Sequence, residues 1–177
     1  SNILADLGSH WCDLAEFITG LKITEVFADY RTTLPVRRKP QDGEVLTFSK
    51  TETTNFKEMS ISLEDYGSLL LRFENGARGT FVTSELAAGR KCDIEIEVYG
   101  SKSSLAWRHE RPSELWFGHR DKANELFFES PLLQDEKTRR YARLPSGHPM
   151  GYHDAIYNLF ADYYSYLESK NDQSFTE

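Results

Sequence analysis

The spacing of apolar and polar residues changes period along this chain, helical near both ends and alternating between them. A first helix is expected through Leu14-Ala15-Glu16-Phe17-Ile18-Thr19. Ser9 suits its N-cap, Asp13 and Glu16 sit early in it, and Gly20 suits its C-terminal stop. Residues 23–33 are dense in β-branched and aromatic side chains and predict a strand. Residues 34–62, with Pro35, Pro40, Gly43 and many polar positions, predict a long loop over a site or a sheet edge. Segments 68–73 and 77–86 flank Glu74-Asn75-Gly76, and Asn-Gly between two such runs is a strong hairpin signal. Residues 91–99 alternate, with Ile94, Ile96 and Val98 on one face and Asp93, Glu95 and Glu97 on the other. Gly100 turns the chain into a strand over 103–108, and short strands are expected over 115–118 and 126–129. The closing segment spaces Ile156, Leu159, Phe160, Tyr163, Tyr164 and Leu167 as one face of an amphipathic helix.

Helix, strands, helix in that order predicts an α+β fold, an open and largely antiparallel sheet with helices packed on one face. The opposite face is then solvated or an oligomer interface. No internal repeat or low-complexity tract interrupts the pattern, and residues 1–177 read as a single domain.

Composition narrows the function classes. An apolar fraction of 39% with 13% aromatic residues argues against disorder. With 21 basic against 28 acidic residues the net charge is −7, which disfavours a nucleic-acid binder. Arg37-Arg38-Lys39 is too short a cluster to reverse that and fits a solvated loop. No apolar run is long enough to span a membrane. Two cysteines, Cys12 and Cys92, make no disulfide framework, so a cytoplasmic location is expected. G-x-G-x-x-G, G-x-x-x-x-G-K-[ST], G-x-S-x-G and paired-cysteine zinc motifs do not occur, so the familiar cradles for nucleotide phosphates are missing.

Candidate chemistry gathers near the start. Asp6, His10 and Asp13 fall at spacings of four and three where a turn feeds the first helix. Three readings fit: a carboxylate-tuned imidazole for proton transfer, metal ligation, or a helix cap. Metal ligation is the weakest, because three ligands in one turn need supporting groups that the sequence does not identify. On spacing alone the cap accounts for the pattern as well as the chemistry does. His148, Tyr152 and His153 lie in a Gly/Pro-rich loop entering the last helix, where they suit a pocket rim or plain solvation. The stripe Tyr152, Phe160, Tyr163, Tyr166 fits core or interface, and Cys12 beside Trp11 fits a buried, inert thiol.

The segment Asp6-Leu7-Gly8-Ser9-His10-Trp11-Cys12-Asp13 resembles the D-x-G-x-H-x-x-D signature of the Gfo/Idh/MocA oxidoreductases. The likeness continues to Gly20, returns in the Asp65-Tyr66-Gly67 strand and its Asn75-Gly76 turn, and recurs at Val98-Tyr99-Gly100. There Ser103 stands where the family has a later Gly. It closes at Gly147-His148-Pro149-Met150-Gly151-Tyr152 and Asn158-Leu159-Phe160. The resemblance implies the C-terminal, substrate-binding and oligomerising half of a two-domain enzyme whose N-terminal Rossmann domain is absent. Ser1-Asn2 is then expected near a cut within a longer protein.

By the same resemblance His10 matches the family's catalytic acid–base and Asp6 its accompanying carboxylate. Asp13 completes the signature as a substrate contact, although its place in the helix also suits a structural role. His148, Tyr152 and His153 are implied as further substrate contacts. The implied reaction is oxidation or reduction at a hydroxyl or carbonyl of a sugar, polyol or related compound. NAD or NADP would be bound by the full-length parent and no cofactor by this chain, which alone is expected to be inactive. Expected partners are that substrate, the missing domain and a second copy met through the open sheet face. The alternative is a non-catalytic sugar-binding or assembly module that keeps the fold.

Overall fold

The computed structural model describes residues 2–41 and 55–169, and the chain gathers into two compact units, Ser1–Arg90 and Lys91–Glu177. In the first unit, a π-helical turn (Leu4–Gly8) runs straight into helix α1 (Ser9–Thr19). Gly20 ends α1 with its N–H on the Glu16 carbonyl at 2.8 Å, as the sequence suggests. The start of the helix differs from expectation. Gly8 holds the N-cap position with no side-chain cap, and the Ser9 hydroxyl instead donates to the Asp6 carbonyl at 2.9 Å. The chain arrives at the helix already coiled, so the first N–H groups find carbonyls of the preceding turn and need no Ser side chain.

Strands β1 (Ile23–Arg31), β4 (Tyr66–Phe73) and β5 (Arg78–Ser84) form an antiparallel sheet in the order β1-β4-β5. The β4–β5 hairpin turns where Asn75-Gly76 predicts, with Gly76 at φ 86°, a backbone that other residues adopt only at a cost. Register puts Val26, Leu71 and Gly79 on one face and Phe27, Leu70 and Thr80 on the other. The first face is the core: Leu71 is 1% exposed, and Phe73, Phe81 and Thr83 are buried beside it. Helix α1 and the π turn cover this face, with Trp11 tilted against Phe81 at 5.0 Å between ring centroids. The second face leaves Phe27, Leu70 and Val82 exposed around the Glu25–Arg72 ion pair.

The π turn lies close on β4 because Gly67 has no side chain. A Cβ at that position would stand 2.5 Å from Leu4 Cδ2 and 2.7 Å from Leu4 Cγ. Gly67→Ala therefore pushes Leu4 and its turn off the sheet, at a cost of about 1–3 kcal/mol for overpacking. A thermal melt of the variant checks this, and an unchanged melting temperature contradicts it.

Strands β2 (Val36–Pro40) and β3 (Phe56–Ser60) pair as a separate antiparallel ribbon inside the segment expected to be loop. This corrects the sequence reading. Every residue of β3 is exposed, so neither ribbon face carries the alternating apolar set that marks a strand in sequence. Residues 42–54 of the expected loop lie outside the described residues.

The second unit is a four-stranded antiparallel meander, β6 (Glu95–Tyr99), β7 (Ser103–Arg108), β8 (Glu114–His119) and β9 (Glu125–Phe128). Ile96 is buried while Glu95 and Glu97 are exposed, the alternation read from sequence. A 3-10 turn (Pro131–Leu133) and the short helix α2 (Glu136–Arg139) follow, the latter capped by Asp135 accepting from Thr138 N–H at 2.8 Å. Helix α3 (Tyr152–Ser169) closes the described chain. The Arg143 guanidinium sits 3.5 Å from the Tyr157 ring centroid, and Tyr141 donates to Asp162 at 2.9 Å. The predicted stripe of α3 remains open in this chain, Ile156 at 37% and Tyr164 at 60% exposure marking its range.

Candidate functional site

Asp6 lies in the π turn, His10 in the first turn of α1 and Asp13 one turn further. Steps of four and three residues set them along one side of the coiled segment, while Gly8 and Ala15 of the same segment are buried. All three are exposed.

The expected meeting of Asp6 with His10 is not formed. Among the described residues neither side chain has a hydrogen-bond or ion-pair partner. It is the Asp6 backbone that secures the turn, its N–H on the Asn2 carbonyl at 2.9 Å and its carbonyl under the Ser9 hydroxyl. The capping account of these residues therefore falls away. Among the described residues neither the carboxylate nor the imidazole helps to hold the fold.

The scaffold beneath them is well tied. Asn2 Oδ1 accepts Ala5 N–H at 2.9 Å, and the Glu64 carboxylate accepts Leu4 N–H at 3.2 Å. Glu16 accepts Ile23 N–H at 2.7 Å and pairs with Lys22 at 3.1 Å. Those contacts, the Ile23 N–H first, hold its carboxyl below the ordinary range. Cys12 is half-buried, and burial followed by the Glu16 charge pushes its thiol up, the state of an unreactive cysteine.

Sequence reasoning passed over Asp65 as an individual residue. Its carboxylate is fully buried, accepts Thr33 N–H at 2.7 Å and Leu34 N–H at 2.8 Å, and lies 3.9 Å from Arg37. Arg37 in turn reaches Glu85 at 2.7 Å. Asp65 thus pins the crossing from β1 into the ribbon. A charged residue before an apolar strand carries no signal of burial, so only the contacts reveal the role.

The other candidates belong to the second unit. His148 lines a cavity of about 360 Å³ between the β7–β8 turn, the end of β9 and the loop around Gly147. Its Nδ1 lies 3.2 Å from the Pro145 carbonyl. A carbonyl only accepts, so Nδ1 carries the hydrogen and Nε2 is left for a ligand. Ser130 and Ser146 hydroxyls, 2.9 Å apart, tie this loop to the strand end. Tyr152 and His153 are exposed at the start of α3, 6.0 Å apart edge to face, and stand outside the cavity lining.

Among the described residues no three His, Cys, Asp or Glu side chains converge as metal ligands, and no helix is long and apolar enough to cross a membrane. Every strand pair in the described residues is antiparallel. A dinucleotide's pyrophosphate is usually held where a parallel βαβ unit meets a Gly-rich turn, and the described residues do not fit that group.

Residues 1–106 match the family model described as the GFO/IDH/MocA C-terminal domain. A levoglucosan dehydrogenase of Pseudarthrobacter phenanthrenivorans is 28% identical over 115 residues, 65% of this chain and 29% of that protein. The fold matches an oxidoreductase domain protein from Kribbella flavida with a TM-score of 0.79 and 29% identity, over 97% of this chain and 44% of that one. It also matches an inositol dehydrogenase homolog from Azotobacter vinelandii, solved with NAD+, with a TM-score of 0.72. At 23% identity, over 91% of this chain and 36% of that one, this last likeness is one of fold. The chain spans under half the length of each of these relatives.

Proposed function

This chain belongs to the GFO/IDH/MocA family, and from that premise we propose that it is the substrate-side domain of an NAD(P)-dependent oxidoreductase. The substrate is a sugar, polyol or related compound, reacting at a hydroxyl or its carbonyl. The observation that carries the reading is the exposed face of Asp6 and His10: a carboxylate and an imidazole with no partner among the described residues, carried on a firmly tied turn. Without substrate the hydrogen bonds of proton-transfer groups are often long or unformed, and they tighten when substrate binds.

In this reading His10 accepts the proton of the substrate hydroxyl as the carbon is oxidised, and returns it in the reverse direction. Asp6, four residues earlier on the same side, favours the charged imidazole as that proton arrives. The nicotinamide cofactor is the two-electron acceptor and is held by residues outside this chain. Asp13 extends the same exposed face, and His148, Tyr152 and His153 are carried as further substrate contacts by the family likeness alone. The apolar sheet face around Phe27, Leu70 and Val82 suits pairing with a second copy. Two free cysteines suit the cytoplasm.

The test compares this chain with the full-length protein. Titrating NADH into this chain gives no saturable fluorescence change, and the full-length protein produces NADH or NADPH on a panel of aldoses and polyols. Tight NADH binding by this chain contradicts the division of labour. A full-length protein that binds a sugar without turning it over favours the non-catalytic module instead.

A further inference from the structure

The lining of the second unit's cavity carries a charge pattern that the assigned roles do not use. We propose that this cavity takes a hydroxyl-rich ligand without negative charge and rejects the corresponding sugar acid or sugar phosphate. This rests on the proposed reading of His148 as a ligand contact and adds the class of ligand to it.

The same lining that holds His148 carries Glu110, Glu114 and Glu129 with the single guanidinium of Arg111. Arg111 lies 3.6 Å from Glu114, and Glu110 lies 3.2 Å from Arg108, which is also bound to Asp93. Glu129 differs. Its partner is the neutral Ser113 hydroxyl, which donates to it at 3.2 Å, and among the described residues no cation pairs with it. Ser113 also accepts Glu129 N–H on its backbone carbonyl at 2.9 Å, so the carboxylate is tethered at both ends of its residue. The cavity therefore presents an uncompensated negative charge at a fixed place.

His148 adds an acceptor. With Nδ1–H on the Pro145 carbonyl, Nε2 of the uncharged form of the ring carries a lone pair. Carboxylate oxygens and this lone pair all require a hydrogen from the ligand, and hydroxyl or ammonium groups supply it. Phe128 and Pro149 give apolar walls suited to the C–H face of a saturated ring. A ligand carboxylate or phosphate meets repulsion from Glu129 and only a guanidinium already committed to Glu114. A single charge contact on an open surface is worth about tenfold in affinity.

The test titrates D-glucose, D-glucosamine and D-glucuronate separately into this chain, following amide chemical shifts at Ser113, Glu129 and His148. Glucose and glucosamine are expected to shift these amides, with glucuronate about tenfold weaker. Glu129→Gln keeps the shape and narrows that gap toward unity. Glucuronate binding as well as glucose overturns the charge selection and leaves the substrate contact of His148 standing. If none of the three shifts these amides, the contact role of His148 falls and the inference falls with it.

Discussion

In the proposed oxidoreductase, His10→Ala is expected to lower kcat about 10²–10⁴-fold, the usual contribution of a positioned acid–base group. Nicotinamide binding should be retained, because nothing in this unit's described residues suits a dinucleotide. The argument turns on what His10 does not do. Its side chain is exposed and has no partner among the described residues, so removing it breaks no contact of the fold. Alanine is also the strongest helix former, and position 10 lies inside α1. The variant should therefore melt at or slightly above the wild-type temperature while losing turnover. A rate loss accompanied by a large drop in melting temperature would point to a structural histidine instead. Asp6→Asn, which removes only the charge that supports the imidazolium, should cost less than His10→Ala and leave the melt unchanged.

Asp65→Asn should have the opposite signature, a large loss of stability with no direct part in chemistry. The native carboxylate accepts two backbone N–H groups, from Thr33 and Leu34, and faces Arg37. An asparagine offers one oxygen to those two donors and turns an N–H₂ toward the other, so a donor meets a donor in a buried place. The expected fall in melting temperature is about 5–10 °C for a chain of this size.

Acid titration gives a second readout. The Thr33 N–H is the main cause holding the Asp65 carboxyl below its ordinary range, with the Leu34 N–H and Arg37 adding to it and burial opposing. A folded-state value below the unfolded one means the stabilisation is full above the unfolded value near about pH 4. It is lost as the pH falls further, through the folded value. Wild-type stability should decline in that window and the Asn variant's decline should be shallower. Superimposable acid profiles would contradict the clamp.

Much of this architecture was legible in local signals. Gly20 stops α1, Asn75-Gly76 turns β4 into β5, and the alternation around Ile96 marks β6, because each depends on backbone chemistry or burial period alone. The ribbon of β2 and β3 escaped notice because every residue of β3 is exposed and the inward residue Arg37 of β2 is charged, leaving pairing without an apolar pattern. Ser9 looked like a cap because Ser before a helix usually is one, yet the π turn had already satisfied the helix start.

The candidate site divides in the same way. Spacing identified Asp6, His10 and Asp13 as neighbours on one side, since helical period dictates sides. Whether the first two touch depends on rotamers and on competing partners, which spacing does not carry. Likewise His148 was visible as a loop histidine, but its contact with the Pro145 carbonyl depends on the loop's fold, and the acidic residues that share its cavity lie 19 or more positions away in sequence. Asp65 was invisible for the same reason, its two donors lying more than thirty residues away.

Chemical rescue tests the central claim, that the open Asp6–His10 face moves the substrate's proton. Imidazole added to the full-length His10→Ala enzyme should restore turnover in proportion to its concentration while leaving the wild-type rate unchanged. A His10→Ala enzyme that already turns over at the wild-type rate, with no response to imidazole, would contradict it.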